Sequence, residues 1–238
     1  MKTPFTDHYD QTFLLETMMG PNAMRTMEEL TASLPLKAGM RVLDLGCGMG
    51  ISSILLAEKF GVTVFAPDLW IDPADNAARF ARLGLDGKII PLSVDMTKDV
   101  PFAREYFDAI VSVDAYQYFG DNDAMLPKLL PLLKPGGLMA VSVPGFTGDY
   151  SADNVPPELK SIWIPEWHFY SLGWWQALWT KEPGLNLTEC REMDCFKQSW
   201  EDWLQSTAYP EPVKSDIAMM EAGGWKYFNL IQLTGRKA

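Results

Sequence analysis

Short, mainly apolar runs alternate with stretches of helical apolar spacing along the first 145 residues. Runs of four to seven residues of this kind are typical of strands buried on both faces of a parallel sheet. Gly and Pro punctuate the stretches between them, as they do at the ends of helices. This alternation predicts a doubly wound α/β sheet. Its first five strands are residues 42–45, 62–66, 88–94, 109–113 and 138–143.

The predicted helices of this region have clear boundaries. Asp72-Pro73 begins one that closes at Gly84, because proline is favoured in the first helical turn. A second helix covers residues 122–134 and runs into the turn Lys134-Pro-Gly-Gly137. Before the sheet, residues 7–34 predict one or two helices, with Asp7 as the first cap and a break at Gly20-Pro21.

The pattern changes after residue 145, where prolines interrupt regular elements and eight of the nine tryptophans lie beyond residue 160. Ser171 is expected to cap a helix over residues 171–182. A sixth strand, a helix in two pieces and a final antiparallel edge strand follow, giving a Rossmann-like sheet of seven strands, mostly parallel. We expect one domain with four parts: an N-terminal helical lid (1–38), a core (39–145), an aromatic-rich cap over the cleft that includes the sixth strand (146–224) and the final strand (225–238).

Residues 42–50, Val-Leu-Asp-Leu-Gly-Cys-Gly-Met-Gly, join the first strand to a predicted helix over residues 51–61. Glycines at alternate positions allow the backbone to approach a ligand at the carboxyl edge of a parallel sheet. Asp44 interrupts the apolar run, and we expect it to accept hydrogen bonds at the strand end because an unpaired buried charge is costly. A dinucleotide-binding loop would need its third glycine at Ile51. Asp44 would also repel a pyrophosphate, whereas it would attract a cation.

Composition and charge narrow the possible partners. The 238 residues are 47% hydrophobic and 21% charged, as in soluble globular proteins, and the net charge of −11 disfavours nucleic acid. No apolar run approaches the roughly 18 residues of a membrane span, and the first ten residues lack the apolar part of a secretory signal. We therefore expect a cytoplasmic protein without a membrane partner.

The cysteines and histidines are few and poorly spaced for a metal site. Cys190 and Cys195 are separated by four residues, Cys47 lies in the glycine loop, and the two histidines are His8 and His168. An odd number of cysteines also argues against a disulfide framework. We expect free thiols and no bound metal.

The glycine loop resembles the signature loop of class I methyltransferases that use S-adenosyl-L-methionine (SAM). Asp44, Gly46, Gly48 and Gly50 match the family pattern of an acid, any residue and Gly-x-Gly-x-Gly. Phe107-Asp108 before the fourth strand and the Lys-Pro-Gly-Gly turn before the fifth strand resemble the same family. The resemblance covers about residues 40–145 and implies SAM as methyl donor, with S-adenosyl-L-homocysteine (SAH) as product and no metal.

The resemblance also implies a donor site along the carboxyl edge of the sheet. Asp68, at the end of the second strand, would accept hydrogen bonds from both ribose hydroxyls, with Leu69 beside the adenine. Asp95 would bind the adenine amino group and Met96 would pack on the ring; a solvated loop acid is the alternative for Asp95. The implied cofactor-binding residues are Asp44, Gly46, Cys47, Gly48, Gly50, Asp68, Leu69, Asp95, Met96 and Asp114.

The acceptor side is expected near Asp114 to Gly120, where the fourth strand ends, and near His168. The unperturbed pKa of histidine, near 6.5, suits a general base, although packing within an aromatic segment is the alternative. The later tryptophans would either fix the cap to the sheet or line an apolar or cationic pocket. The predicted catalytic residues are His168, Tyr116 and Tyr118, and the predicted substrate-binding residues are Tyr9, Gln117, Trp167 and Trp175.

The sequence favours SAM-dependent methyl transfer to a small-molecule acceptor by in-line displacement, in a monomer or homodimer. An amine and a flat aromatic acceptor both fit. One alternative is a SAM-binding sensor or partner subunit without catalysis. Another is a lipid-modifying enzyme, because the chain is also similar to small bacterial methyltransferases related to cyclopropane fatty acid synthases. A protein or RNA methyltransferase is disfavoured by the acidic charge and the aromatic cap.

Overall fold

The computed structural model describes residues 4–98, 100–151 and 153–238, and it contains one mixed sheet between two layers of helices. The strands are β1 Arg41–Asp44, β2 Thr63–Asp68, β3 Ile89–Ser93, β4 Phe107–Val113, β5 Leu133–Phe146, β6 Tyr170–Ser171, β7 Leu185–Glu192 and β8 Phe228–Lys237. The α-helices are α1 Gln11–Thr17, α2 Ala23–Leu30, α3 Ile51–Phe60, α4 Pro73–Arg82, α5 Gln117–Gly120, α6 Met125–Leu129, α7 Leu172–Thr180, α8 Phe196–Trp203, α9 Pro210–Met219 and α10 Trp225–Tyr227.

The strand order is β3-β2-β1-β4-β5-β8-β7, with the short β6 beside the end of β5. Strands β1 to β5 are parallel to one another, and β8 is antiparallel to both of its neighbours. Chain order reverses at β1, which has β2 on one side and β4 on the other. In doubly wound sheets, ligands bind at this kind of switch point, beyond the carboxyl ends of the strands.

The predicted fold class is confirmed, and the position of the last strand is corrected. Strand β8 is antiparallel as predicted, but it lies between β5 and β7, and β7 forms the edge. Leu230, Ile231 and Leu233 have no exposed surface, whereas in β7 only Leu185 is buried and the other positions are partly or fully exposed. Side chains buried on both faces of β8 suit an interior strand, because both faces of the sheet are covered there.

Two predicted helix boundaries are also corrected. The helix expected over residues 122–134 is only α6, followed by a 3₁₀ turn at Leu130–Leu132, because Pro131 supplies no amide hydrogen for a continuing helix. Asp7 lies in a 3₁₀ turn and forms an ion pair with Arg25 instead of capping a helix. The caps of α1 and α2 are Asp10 and Asn22, whose side chains accept backbone hydrogen bonds.

The core has one cluster on each face of the sheet. Successive strand residues alternate between the clusters, so Val42 packs in the first and Leu43 in the second. The first cluster contains residues of α2, α3 and α4, and the second contains residues of α6 and α7. Trp175, Trp179 and Trp203 are wholly buried, as expected for tryptophans that fix the cap to the sheet. Among the described helices, none is long and apolar enough to cross a membrane.

Candidate functional site

A cavity of about 340 Å³ opens beyond the carboxyl ends of β1, β2 and β4, at the switch point of the sheet. A cavity of this size falls in the range of small-molecule sites. Its walls come from the α1–α2 linker, the glycine loop and the ends of β2, β3 and β4. The lining residues are Thr17, Met19–Pro21, Ala23, Gly46–Met49, Ile51, Ser52, Pro67–Trp70, Val94–Thr97, Val113–Ala115, Tyr118 and Phe119.

The glycine loop presents bare backbone to this cavity. Gly46, Gly48 and Gly50 all have positive φ angles, which glycine adopts without steric cost. A Cβ atom on Gly46 would lie 2.4 Å from the Cβ atom of Ala115, at the end of β4, so a side chain there would separate the two strand ends. The amide of Gly46 donates to Pro67 O at 3.0 Å, which holds the loop against β2.

Asp44 lies beneath the loop and is 1% exposed. Its Oδ2 atom accepts hydrogen bonds of 2.6 Å from the hydroxyls of Ser52 and Ser53, in the first turn of α3. Its Oδ1 atom is buried and has no hydrogen-bond partner within the described residues. Burial raises the pKa of Asp44 to about 6. The expected hydrogen bonds are therefore present, and one carboxylate oxygen lies beneath the glycine loop without a partner among the described residues, although Asp44 itself does not line the cavity.

Asp68 connects the end of β2 to the glycine loop. Its Oδ2 atom accepts a hydrogen bond of 2.8 Å from the amide of Gly48, and its Oδ1 atom accepts bonds from Trp70 and Ile71 at 2.8 and 3.0 Å. Two carboxylate oxygens offer about four acceptor positions, so one position remains for a ligand hydroxyl. Leu69 and Trp70 follow on the wall and are 59% and 70% exposed. An arrangement of this kind can bind a hydroxyl group beside an apolar surface.

Asp95 and Met96 form the wall beyond β3. Hydrogen bonds from the hydroxyl and the amide of Thr97 lower the pKa of Asp95 to about 2, and Lys98 lies 3.1 Å from its Oδ2 atom. Met96 is 5% exposed. An ionised carboxylate beside a polarisable thioether suits a polar heterocycle, because the carboxylate can accept from an amino group while sulfur contacts the ring.

Asp114 follows β4 and has a φ angle of 52°, an uncommon value for a residue other than glycine. Its Oδ1 atom accepts a hydrogen bond of 3.0 Å from Gln117 Nε2. Gly20 of the α1–α2 linker lies directly over it, since a Cβ atom there would be 2.4 Å from Asp114 Oδ2. Burial raises the pKa of Asp114 to about 7. The linker therefore closes the cavity over a carboxylate that is easily protonated.

Tyr118 and His168 lie together at the rim. The Tyr118 ring lines the cavity, 5.8 Å from the Trp70 ring and 6.2 Å from the His168 ring. His168 Nδ1 is 2.8 Å from Asp121 Oδ2, which also accepts a hydrogen bond from the Tyr170 hydroxyl. His168 has a φ angle of 54°, and such backbone strain is most common at functional sites. His168 thus contacts the wall without forming part of it.

The remaining residues expected on the acceptor side do not line the cavity. Tyr116 and Trp175 are wholly buried, with ring centroids 6.0 Å apart, because the short α5 helix turns Tyr116 toward α7. Tyr9 packs between the rings of two phenylalanines near the N-terminus. The residues placed away from the wall are Tyr9, Tyr116, Gln117, Trp167 and Trp175.

Sequence reasoning did not name the linker residues that cover the cavity. Thr17, Met19, Gly20, Pro21 and Ala23 all line it, between α1 and α2. The signal was present, because Gly20-Pro21 was predicted to break the helical lid. All residues on the cavity wall lie between positions 17 and 119, so none of the described residues in the segment 146–224 lines the cavity. In the part of the chain that the structure describes, no group of three or more His, Cys, Asp or Glu residues is arranged to hold a metal ion.

Comparison with known proteins agrees with this geometry. Residues 42–137 match the family described as a methyltransferase domain. A ubiquinone biosynthesis O-methyltransferase of Nitrobacter winogradskyi is 34% identical over 123 residues, which are 50% of this chain and 44% of that protein. The chain spans less than half the length of the first curated relatives that it matches.

Two solved structures have the same fold. Phosphoethanolamine N-methyltransferase 2 of Haemonchus contortus, solved in complex with SAM, is 20% identical to this chain and superimposes on it with a TM-score of 0.73. The superposition covers 98% of this chain and 59% of the other chain. Geranyl diphosphate C-methyltransferase of Streptomyces coelicolor, solved in complex with SAH, is 16% identical to this chain and has a TM-score of 0.71. That superposition covers 90% of this chain and 78% of the other chain. Residues 42–137 are therefore a methyltransferase domain, and the chain has the fold of the class I SAM-dependent methyltransferases.

Proposed function

We propose that this protein binds SAM in the cavity at the switch point and catalyses transfer of its methyl group to a small molecule. The observation that carries this proposal is the glycine backbone at the cavity wall, held between the carboxylates of Asp44 and Asp68. The first has a buried oxygen without a partner among the described residues, and the second retains capacity for a hydroxyl. These two features suit the cationic and the ribose portions of SAM.

The charge of the cavity supports the same ligand. Three of its lining residues are aspartates, Asp68, Asp95 and Asp114, and none of the described lining residues is Lys, Arg or His. A sulfonium ion is stabilised by such surroundings, whereas a phosphate group is repelled. When bound, SAM supplies a methyl group that its positive sulfur activates for displacement. The chain then has to bind, orient and shield the acceptor, which accounts for much of the catalytic effect in bimolecular reactions.

The donor contacts follow from the positions of the wall residues. We assign the ribose to Asp68, the adenine to Leu69, Asp95 and Met96, and the methionine portion to Gly46, Cys47 and Gly48, with Asp44 beneath them. Gly50 acts through the fold, because a Cβ atom there would lie 2.4 Å from the Phe80 ring. One of the two structural neighbours was solved with SAM and the other with SAH, which supports this ligand for the present chain.

A small acceptor is favoured by the linker that covers one side of the cavity. The linker over residues 17–23 covers it, and Gly20 touches Asp114. A polymer would have to displace this linker. We propose that residues 1–38 act as the lid and that the cap, residues 146–224, closes the rim around His168. The expected monomer or homodimer, without a nucleic-acid or membrane partner, completes this proposal.

His168 is proposed as a general base for acceptors that arrive protonated. Its contact with Asp121 favours the tautomer that carries hydrogen on Nδ1, so that the lone pair of Nε2 is available. Tyr118, between His168 and the cavity, would orient the acceptor. Asp121→Asn should lower kcat by roughly tenfold or more, because an amide can donate a hydrogen bond to Nδ1 and so favour the tautomer that carries hydrogen on Nε2. An unchanged kcat would remove His168 from the mechanism.

The proposed function is tested by supplying SAM and measuring SAH formation with a panel of amines, thiols, phenols and carboxylic acids. We expect SAH to form with at least one acceptor and its formation to stop when Asp68 is replaced by Ala. SAM binding without SAH formation across the panel would favour the alternative of a sensor or partner subunit. Absence of SAM binding would refute both. Methylene transfer to unsaturated phospholipid would instead favour the lipid-modifying alternative.

A further inference from the structure

We propose that the acceptor is a small amine that binds as an ammonium ion at the Asp114 end of the cavity, against the rings of Trp70 and Tyr118. The inference rests on the function proposed above and gives Asp114 a different role from the donor-binding role suggested by the sequence. It is argued from the free oxygens, the charge and the aromatic surface at this end of the cavity.

The first argument is the unused hydrogen-bonding capacity around Asp114. Its Oδ1 atom is held by Gln117, while among the described residues nothing donates to its Oδ2 atom. Gln117 is itself wholly buried, and its Oε1 atom has no partner in the described part of the chain. A buried polar atom without a partner is costly unless a ligand satisfies it. Because Gln117 lies away from the cavity wall, a ligand reaches only Asp114 Oδ2, and the N–H group of an ammonium ion supplies the donor which that oxygen lacks.

The negative charges around Asp114 also favour a cationic ligand. Asp216 of α9 is close enough to Asp114 for its charge to raise the pKa of that carboxyl further, after the larger effect of burial. Asp216 accepts a hydrogen bond of 2.7 Å from Trp203 Nε1. Neither carboxylate forms an ion pair with a cation of the described chain. A ligand cation would therefore stabilise both carboxylates, while an anionic acceptor would be repelled by them.

The aromatic surface at the rim of the cavity suits an ammonium ion as well. Trp70 and Tyr118 are 70% and 45% exposed, although large aromatic side chains are usually mostly buried. Their rings are 5.8 Å apart and inclined at 57°, so they form two sides of a corner that faces the cavity. Aromatic faces attract alkylammonium ions, and the attraction increases when water is excluded. Burial also raises the pKa of Tyr118, which keeps its hydroxyl neutral.

Binding as an ammonium ion requires the loss of one proton before nitrogen can act as a nucleophile. The N–H proton passes to the Asp114 carboxylate, the nitrogen lone pair is freed, and the proton leaves Asp114 to solvent after product release. The proton and the charge are thus accounted for without a further reactant. For an amine acceptor, Asp114 therefore both binds the acceptor and receives its proton, and so takes the general-base role that was proposed above for His168.

The test compares two probes of equal shape and different charge, choline and 3,3-dimethylbutan-1-ol, by calorimetric titration of the protein saturated with SAH. Choline carries a quaternary nitrogen, so it can bind but not react. We expect choline to bind at least tenfold more tightly than the neutral alcohol. Asp114→Asn should weaken choline binding about tenfold to a hundredfold, because the uncharged amide no longer attracts the quaternary ammonium ion at close range. SAM binding should change less than threefold.

Three further variants complete the experiment. Asp123→Asn makes the same chemical change at an exposed acid that pairs with Lys181, and it should leave choline binding unchanged. Trp70→Ala should weaken choline binding several-fold and Trp70→Phe should restore much of it, and both keep the test valid if Asp114→Asn fails to fold. Equal affinity for the two probes, or binding of neither, would overturn the proposal. Loss of SAM affinity in Asp114→Asn would return Asp114 to the donor site. SAM binding to the native protein, measured alongside, reports separately on the proposed function.

Discussion

Asp44 couples SAM binding to pH, if the cationic portion of SAM lies beside its buried carboxylate. Burial holds the pKa of Asp44 at about 6 in the free protein, against its ordinary value of 3.8. The carboxyl is therefore largely protonated at pH 5 and largely ionised at pH 7. A positive ligand stabilises the ionised form, so affinity should increase as pH rises toward 6 and become constant above it.

The size of the effect follows from the pKa. At pH 5 about one Asp44 in eleven is ionised, so the Kd for SAM should be about tenfold higher than at pH 7, or roughly 1.4 kcal/mol. The stability of the protein without ligand should change with pH in the opposite direction. Because the pKa of Asp44 is raised from 3.8 to about 6 on folding, its contribution to the free energy of unfolding is fully present below pH 3.8. The contribution is lost as pH rises through 6, with a total change of about 3 kcal/mol.

The assay is calorimetric titration of SAM between pH 5 and 8, repeated in buffers with different ionisation enthalpies to count released protons. Asp44→Asn is the control, because its amide oxygen can still accept from Ser52 and Ser53 while it no longer titrates. Subtracting its profile removes the contribution of Asp114, whose pKa of about 7 lies in the same window. If the native protein and Asp44→Asn have the same pH dependence, Asp44 does not interact with the ligand charge.

Two further predictions concern stability. Gly50→Ala should lower the free energy of unfolding by roughly 2–4 kcal/mol in urea, because φ is 85° and the new Cβ would lie 2.4 Å from an aromatic ring. Gly84→Ala, with φ of 69° and no atom within 4 Å, should cost only about 1 kcal/mol; equal losses would refute the steric argument. Burial alone would raise the pKa of Glu28, but hydrogen bonds from Lys59 and Thr6 outweigh it and lower the pKa to about 2. Glu28→Gln should therefore cost about 1–2 kcal/mol at pH 7, after allowance for partial exposure, and the difference should vanish as pH falls from 4.5 toward 2; a constant difference would contradict it.

The first five strands could be predicted because their signals are local. Each is a short apolar run bounded by turn residues, and the glycine spacing of residues 46–50 is dictated by one turn. Asp68 and Asp95 could be named because each follows a strand whose carboxyl end meets the same edge. The structure places both on the cavity wall with Gly46 and Gly48.

The parts that sequence could not provide depend on distant contacts. Strand β8 pairs with β5 through residues between 82 and 98 positions apart, and no local pattern sets that order. His168 meets Asp121 across 47 positions, so their contact was not visible in either segment. Tyr116 directly precedes the short helix α5 and Tyr118 lies within it, and only packing against α7 decides that Tyr116 is buried while Tyr118 faces the cavity.

The measurement that tests the central claim most directly is a titration of SAM into the native protein and into Asp68→Ala. We expect one SAM per chain and a Kd at least about tenfold higher in the variant, because one hydrogen bond to a charged carboxylate is lost at about 1.5 kcal/mol or more. Asp86→Ala, which removes an exposed acid, should bind as the native protein does. A thermal melt without ligand must show that Asp68→Ala is folded, since Asp68 also holds the glycine loop. A native protein that does not bind SAM, or a folded Asp68→Ala that binds it with native affinity, would contradict the assignment of this cavity as the SAM site.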